Sequence, residues 1–312
     1  MCRLIAYSGA PVVMDKLLYQ PKNSLIHQSY DAQEIEEPLN GDGFGVGWYS
    51  PEMDPNPAVF VSVFPAWNNR NLRSIAPRIK SGCFFAHVRA ASVGDIAEAN
   101  CHPFSWKQFM FMHNGGIGGF EAIRRPLRQL LSDEMYSFIK GQTDSEHFFA
   151  LLLENLRNRD GGYTLQDMMD AYDSAIGIVG ELKRQAGIKE ETYINSVLTD
   201  GKLMLGTRFK TDTKDAALTL YYSRGTRYEC EDGVCRMIQT KDEERSVLIV
   251  SEKLTGESKD WQKIPENHFV VVDAKLNVST RPIAPKKVTV GAGSGAAKAS
   301  ASTPKRRSFT AG

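Results

Sequence analysis

The chain has 312 residues, 42% hydrophobic and 24% charged, a balance that suits a globular protein and excludes disorder throughout. Its 38 basic and 37 acidic side chains leave a net charge of +1, so the overall charge favours neither nucleic acid nor an anionic membrane as a partner. The balance is uneven: residues 284–312 hold six basic and no acidic residues, which leaves residues 1–283 at −5. In chain order, β-branched and aromatic residues predict strands at 3–8, 44–49, 58–64, 83–89 and 108–113, with turn chemistry at Asn40-Gly41-Asp42-Gly43. Apolar residues at helical spacing then predict helices over 120–140, 144–156 and, after Gly161-Gly162, 164–185. Strands resume at 194–199, 202–209, 218–223, 246–251 and 268–274, with a hairpin signal at Asp200-Gly201. No composition break divides residues 1–283, so one domain over 2–283 is expected, followed by a flexible basic tail over 284–312 that is too poor in apolar residues to order itself.

No run approaches the roughly 20 apolar residues of a membrane span, and the amino terminus lacks a secretory pattern; a cytoplasmic location is the expectation. The five cysteines are odd in number and scattered, which argues for reduced thiols. Cys83 and Cys101 are expected to be buried small residues. Cys230 and Cys235 are expected to be two free thiols on a hairpin, with a redox pair as the alternative.

Cys2 is the unusual cysteine. Once Met1 is removed, one residue carries a thiol and a free α-amine, and an α-amine with a pKa near ~8 can accept the thiol proton close to neutrality. The resulting thiolate can attack a carbonyl. Taken alone, Cys2 reads better as a small residue that permits methionine removal or packs in a first strand, and other residues must decide.

Those residues form an ordered set: Met1-Cys2-Arg3-Leu4, Gly41-Asp42-Gly43-Phe44-Gly45, His87-Val88-Arg89-Ala90-Ala91-Ser92, Asn100-Cys101-His102-Pro103-Phe104, His113-Asn114-Gly115-Gly116 and Thr143-Asp144-Ser145-Glu146. Together they resemble the class II glutamine amidotransferases of the N-terminal nucleophile hydrolase superfamily. Pro65-Ala66-Trp67-Asn68-Asn69, Gly141-Gln142-Thr143, Ser251-Glu252-Lys253-Leu254-Thr255 and Asp260-Trp261 extend the resemblance to the stand-alone, YafJ-type branch. Within that branch they are most like the fungal amidotransferase subunit of the DUG glutathione-degradation complex. The likeness spans roughly residues 1–275.

The resemblance implies an α+β fold, the four-layer αββα sandwich with two antiparallel sheets between helical layers. It implies that Cys2 is the nucleophile, that the Asn114 amide and the Gly115 N–H form the oxyanion hole, that Arg89 clamps the substrate α-carboxylate and that Asp144 receives the α-ammonium. Asp144 also reads as a helix N-cap, and Arg89 as a structural ion pair. His87, His102 and His113 are assigned no proton transfer and are expected to hold loops around the site. No metal or organic cofactor is expected, since the implied reaction needs none; the histidines lack the short paired spacing of a metal site, and the glycine loop at 41–45 lacks the Lys-Ser/Thr of a phosphate loop. The implied reaction is hydrolysis of a γ-glutamyl amide, with glutathione yielding glutamate and Cys-Gly, in a hetero-oligomer with a peptidase-like subunit. A glutaminase supplying ammonia to a separate synthase, a γ-glutamyl hydrolase of ergothioneine-type synthesis and a catalytically silent scaffold stay open.

Overall fold

The computed structural model describes residues 2–34, 38–156, 163–211, 216–231, 234–239 and 244–290. The chain opens with β1 (Arg3–Val13), α1 (Asp15–Leu18), α2 (Leu25–Gln28), β2 (Phe44–Ser50), β3 (Asp54–Ser62), α3 (Arg70–Ile75) and β4 (Lys80–Val88). It continues with β5 (Phe104–Trp106), β6 (Phe109–Ile117), α4 (Phe120–Arg128), α5 (Asp133–Phe138), α6 (Asp144–Leu156) and α7 (Leu165–Gln185). The last third is β-rich: β7 (Thr192–Thr199), β8 (Met204–Lys210), β9 (Tyr221–Gly225), β10 (Arg227–Glu231), β11 (Val234–Ile238), β12 (Ser246–Val250), β13 (Gln262–Lys263), β14 (His268–Val272) and β15 (Val278–Pro282).

Among the described residues, β13-β9-β12-β1-β4-β2-β3 form one antiparallel sheet and β15-β14-β8-β7-β6-β5 a second; β10 and β11 form a separate ribbon. Alternation along each strand divides its side chains between two faces. In β1, Ile5 and Tyr7 pack outward against Leu17, Leu25 and Leu72 of α1–α3, while Leu4 and Ala6 pack inward against the second sheet. In β6, Met110 and Met112 face the first sheet, while Phe109 and Phe111 face α4–α7. Three apolar interfaces therefore separate four layers in the order helices, sheet, sheet, helices, the αββα sandwich.

The helix expected over 120–140 is two helices. Pro126 lies inside α4, and Ser132 starts a new helix by accepting from Met135 N, while its own N–H and hydroxyl donate to Glu154. A side-chain cap reached by a carboxylate on α6 resets the helix axis, something the apolar spacing alone does not register. The strand expected at 218–223 begins at Tyr221, and residues 217–219 instead run as a non-repetitive segment whose carbonyls are held by Asn195 and Arg208. Cys230 and Cys235 are not free thiols: they sit directly across the β10–β11 ribbon and are joined by a disulfide, their side chains part of the outer apolar cluster. Cys83 and Cys101 are buried and free.

Ordered packing continues past the expected boundary at 283. Ala284 N donates to Asp173 Oδ1, Lys286 N to Asp173 O, and Gln185 donates to Val290 O, so residues 284–290 lie along α7. The rest of the expected tail, 291–312, is outside the described residues. No helix among the described residues is long and apolar enough to cross a membrane.

The strap makes a test whose sign depends on its presence. A Cβ added at Gly177 of α7 would stand 2.0 Å from Lys286 O, whereas an exposed mid-helix glycine ordinarily gains about 1 kcal/mol on replacement by alanine. Gly177→Ala is therefore expected to lower the melting temperature of the full chain and to raise it in a chain ending at residue 283. A rise in both would mean that residues 284–290 do not lie on α7.

Candidate active site

The site forms where the amino end of β1 meets the ends of β4 and β6. Arg3 is paired with Val88 across β1–β4, which sets Cys2 beside Arg89 and Ala90. The Cys2 Sγ lies 3.4 Å from Ala90 N and 3.5 Å from Ala90 O. By parity Cys2 shares the inward face of Leu4 and Ala6, as His87 shares that of Phe85, and Asn114 shares that of Met110 and Met112. Cys2 and Asn114 therefore look into the same gap from opposite sheets. His87 Nε2 stands 3.3 Å from His113 O, linking the two strands one residue before Asn114.

The glycine loop is the backbone brace of this corner. Asp42 N donates to Arg89 O, Arg89 N donates to Gly43 O, and Asp42 Oδ2 accepts from Ala91 N. Gly43 has φ +110, and a Cβ there would stand 2.7 Å from Cys101 Sγ and 2.8 Å from Ser62 O; only glycine meets both demands. Gly115 is required by close approach, since a Cβ would lie 2.1 Å from Tyr193 O.

Arg89 and Asp144 are both buried, at 2% and 4% exposure. The Arg89 guanidinium donates to the carbonyls of Val93, Gly94 and Asp95, which leaves part of its five-donor fork for another acceptor. Asp144 accepts from Ile117 N through Oδ2 and from Ser145 N through Oδ1. The helix cap is Thr143, whose hydroxyl accepts from Glu146 N, so Asp144 is not the N-cap its position suggested. Among the described residues neither Arg89 nor Asp144 has an ion-pair partner. Buried charges are ordinarily paired; here the guanidinium is held by backbone carbonyls, and the carboxylate by two backbone N–H groups and the Ser145 hydroxyl.

The Asn114 side chain is buried, and neither its Nδ2 nor its Oδ1 has a partner among the described residues. Burial raises the Cys2 thiol above its ordinary value, opposed by the Ala90 backbone contact and by the positive charges of the chain terminus, Arg89 and Arg3. The three histidines are brought together as expected. His87 and His102 rings lie 4.2 Å apart, and His113 is fixed by Ser145 Oγ at 2.8 Å and Tyr193 O at 3.0 Å. Burial pulls His87 down to about 3 and His102 well below its usual value, the latter also repelled by His87, His113 and Arg89. Burial likewise lowers His113, against the pull of Asp144. Burial thus disfavours the charged form of all three. No group of three or more His, Cys, Asp or Glu arranged to hold a metal occurs among the described residues.

One feature escaped the sequence. Arg3 is buried, its Nη1 donates to Cys2 O, and its Nε donates to Glu252 Oε2 at 3.1 Å. Glu252 also accepts from Asn23 Nδ2 and from the N–H groups of Gln33 and Glu34. This fully buried pair fastens the backbone of the candidate nucleophile to the end of β12. Residue 252 lies far from residue 3 in the chain, and neither local pattern nor turn chemistry signals the contact.

The glutamine amidotransferases class-II family matches residues 22–289. The chain is 35% identical to the probable glutamine amidotransferase DUG3 of Saccharomyces cerevisiae over 91% of this chain and 84% of that protein. It is 34% identical to the gamma-glutamyl-hercynylcysteine sulfoxide hydrolase of Mycobacterium tuberculosis over 38% of this chain and half of that protein. Among solved structures, a glutamine aminotransferase class-II domain protein from Silicibacter pomeroyi superposes with a TM-score of 0.65 at 27% identity, covering 91% of this chain and all of that one.

Two predictions follow from the electrostatics. Removing one partner of a buried ion pair leaves the other charge uncompensated, at a cost of about 3–5 kcal/mol. Glu252→Leu should therefore destabilise strongly in chemical denaturation, and Arg3→Met combined with Glu252→Leu should recover much of the loss; equal damage in single and double variants would contradict a coupled pair. Separately, His87 and His147 titrate near 6.5 when unfolded and at about 3 and about 4 when folded. The unfolded chain therefore binds more protons in this window, so their contribution to stability is complete above pH 6.5 and is lost as pH falls toward 3. The melting temperature should drop across this range, and His87→Gln should flatten the slope; an unchanged slope would show that His87 is not held neutral.

Proposed function

From the membership of this chain in the class II glutamine amidotransferase family, with its γ-glutamyl amide hydrolases, we propose that it hydrolyses the γ-glutamyl bond of glutathione with Cys2 as nucleophile. The observation that carries the reading is a pair of buried charges with no ion-pair partner among the described residues: Arg89, whose charge acts on the Cys2 thiol, and Asp144, which is bonded to Ile117 N of the strand that carries Asn114. A γ-glutamyl group ends in an α-carboxylate and an α-ammonium. One free cation and one free anion of matching sign are what such a zwitterion requires.

After removal of Met1, the Cys2 α-amine takes the thiol proton and the sulfur adds to the γ-carbonyl. The carbonyl electron pair moves to oxygen, which the Asn114 Nδ2–H and the Gly115 N–H stabilise, each donor contributing roughly 10²- to 10³-fold in rate. Collapse expels the amine, which leaves with the proton from the α-amine, and a γ-glutamyl thioester remains. Water then attacks the thioester, glutamate departs and the thiol is restored. His87, His102 and His113, all neutral, hold the strand ends and transfer no proton.

The choice of glutathione over glutamine rests on the resemblance to the fungal subunit of glutathione degradation and on the 35% identity with DUG3. The same resemblance supports a hetero-oligomer with a peptidase-like subunit, in the cytoplasm.

Intact-mass analysis of the chain treated with 6-diazo-5-oxo-norleucine should show loss of Met1 and one adduct on Cys2. Cys2→Ala, or a peptide tag left in front of Cys2, should abolish hydrolysis while preserving the melting temperature. Labelling of Cys83 or Cys101 instead, or full activity with Met1 retained, would sink the mechanism. Incubation with glutathione or glutamine, with and without the partner, should give glutamate and Cys-Gly faster than glutamate and ammonia.

A further inference from the structure

We propose that Asn195 is a positioning residue that orients the Asn114 amide toward the substrate oxyanion; the proposal rests on Asn114 serving as an oxyanion donor. Asn195 lies in β7 directly opposite Asn114 of β6. Direct partners on antiparallel strands present their side chains on one face with Cβ atoms about 4.5–5.5 Å apart, and parity puts both on the face of Met112 and Val197, toward the sheet that carries Cys2. Both side chains are buried, at 1% exposure for Asn114 and 0% for Asn195.

The orientation of the Asn195 amide is fixed. Its Nδ2 donates to Leu218 O at 3.1 Å and to Thr219 O at 3.0 Å; both neighbours are carbonyl oxygens, so the atom facing them must be the NH2 group. Its Oδ1 is thereby turned away, and this acceptor is buried without a partner among the described residues. Across the strand pair the Asn114 Nδ2 is a buried donor in the same condition. A primary amide carries two N–H groups. If one is given to Asn195 Oδ1, the second is aimed into the gap, and the alternative rotamer that would turn the Asn114 oxygen toward a developing oxyanion is disfavoured.

The same residue ties this alignment to the nucleophile. Thr219, whose carbonyl is held by Asn195, donates its hydroxyl to Ser251 O, and Ser251 Oγ accepts from Leu4 N. Residues 218–219 thus bridge β7, the neighbour of the strand that carries Asn114, and β1, the strand that follows Cys2.

The test is a double-mutant cycle on the processed full chain. Asn195→Leu is expected to lower kcat for γ-glutamyl hydrolysis about 10- to 100-fold with little change in KM, since the lost interaction exists only in the transition state. Affinity for glutamate γ-semialdehyde should fall by the same factor, because addition of Cys2 to the aldehyde places its oxygen in the same hole, whereas affinity for glutamate should hold. In an Asn114→Ala background, Asn195→Leu should cost nothing further. Additive losses, or equal weakening of aldehyde and glutamate, would reduce Asn195 to an anchor of residues 217–219 and overturn the proposal. Should Asn195→Leu fail to fold, the smaller Asn195→Ala, which also deletes Oδ1, goes through the same cycle and must show the same non-additivity. A wild-type chain that neither binds the aldehyde at Cys2 nor hydrolyses a γ-glutamyl amide would defeat the underlying reading instead.

Discussion

Everything in the candidate site depends on the face-to-face packing of two antiparallel sheets through Leu4, Ala6, Phe85, Met110, Met112, Val197, Ile249 and Val270. The side-chain period of a strand is two, so burial of these residues between the sheets fixes which neighbours also point inward. Cys2 follows from Leu4, His87 from Phe85, Asn114 from Met112 and Asn195 from Val197. A slip of one residue in β1 or β6 would send Cys2 or Asn114 to the helical side and expose the apolar set that now holds the layers together. Apolar burial, the largest and least directional force in the fold, thus sets the register on which the polar geometry is built.

That dependence explains what the sequence disclosed. Strands with one face against a helical layer and one against a sheet are apolar on both faces, so β1, β2, β4, β6, β7, β12 and β14 stand out from their β-branched and aromatic content. Arg89, Asn114, Gly115 and Asp144 stood out because each lies in a contiguous motif at a strand end or helix start. What stayed hidden is held by distant contacts. Glu252 meets Arg3 across nearly the whole chain, Asn195 is meaningful only beside Asn114, and the break between α4 and α5 depends on Glu154 reaching back to Ser132. The ribbon disulfide was missed for a related reason: cysteine counting treats the chain as a whole, whereas the pairing of Cys230 with Cys235 is local to the hairpin on which both were expected.

The buried charged groups of the candidate site divide into two kinds. Arg3 is neutralised by Glu252, and its task is mechanical: it fastens the Cys2 carbonyl in place. Arg89 and Asp144 are instead fastened by carbonyls and N–H groups that carry no net charge. Backbone dipoles of this sort orient a side chain without cancelling it, so the field each charge projects into the gap is preserved. The neutrality of the three histidines belongs to the same arrangement. A protonated imidazole beside Arg89 would add a competing cation within the cluster, and burial removes that charge before the substrate arrives.

Burying two charges without an ion-pair partner among the described residues is costly. The cost is borne by the rest of the fold, and under the proposed function it would be relieved by a ligand that supplies an anion to Arg89 and a cation to Asp144 together. A ligand with only one of these charges relieves one side and leaves the other exposed to the low dielectric. In the proposed reaction, selection for the γ-glutamyl head group would come from these same two residues, before the thiol meets the carbonyl. Neither charge would address what lies beyond the scissile amide, so under that proposal discrimination between glutathione and glutamine would rest on groups other than Arg89 and Asp144.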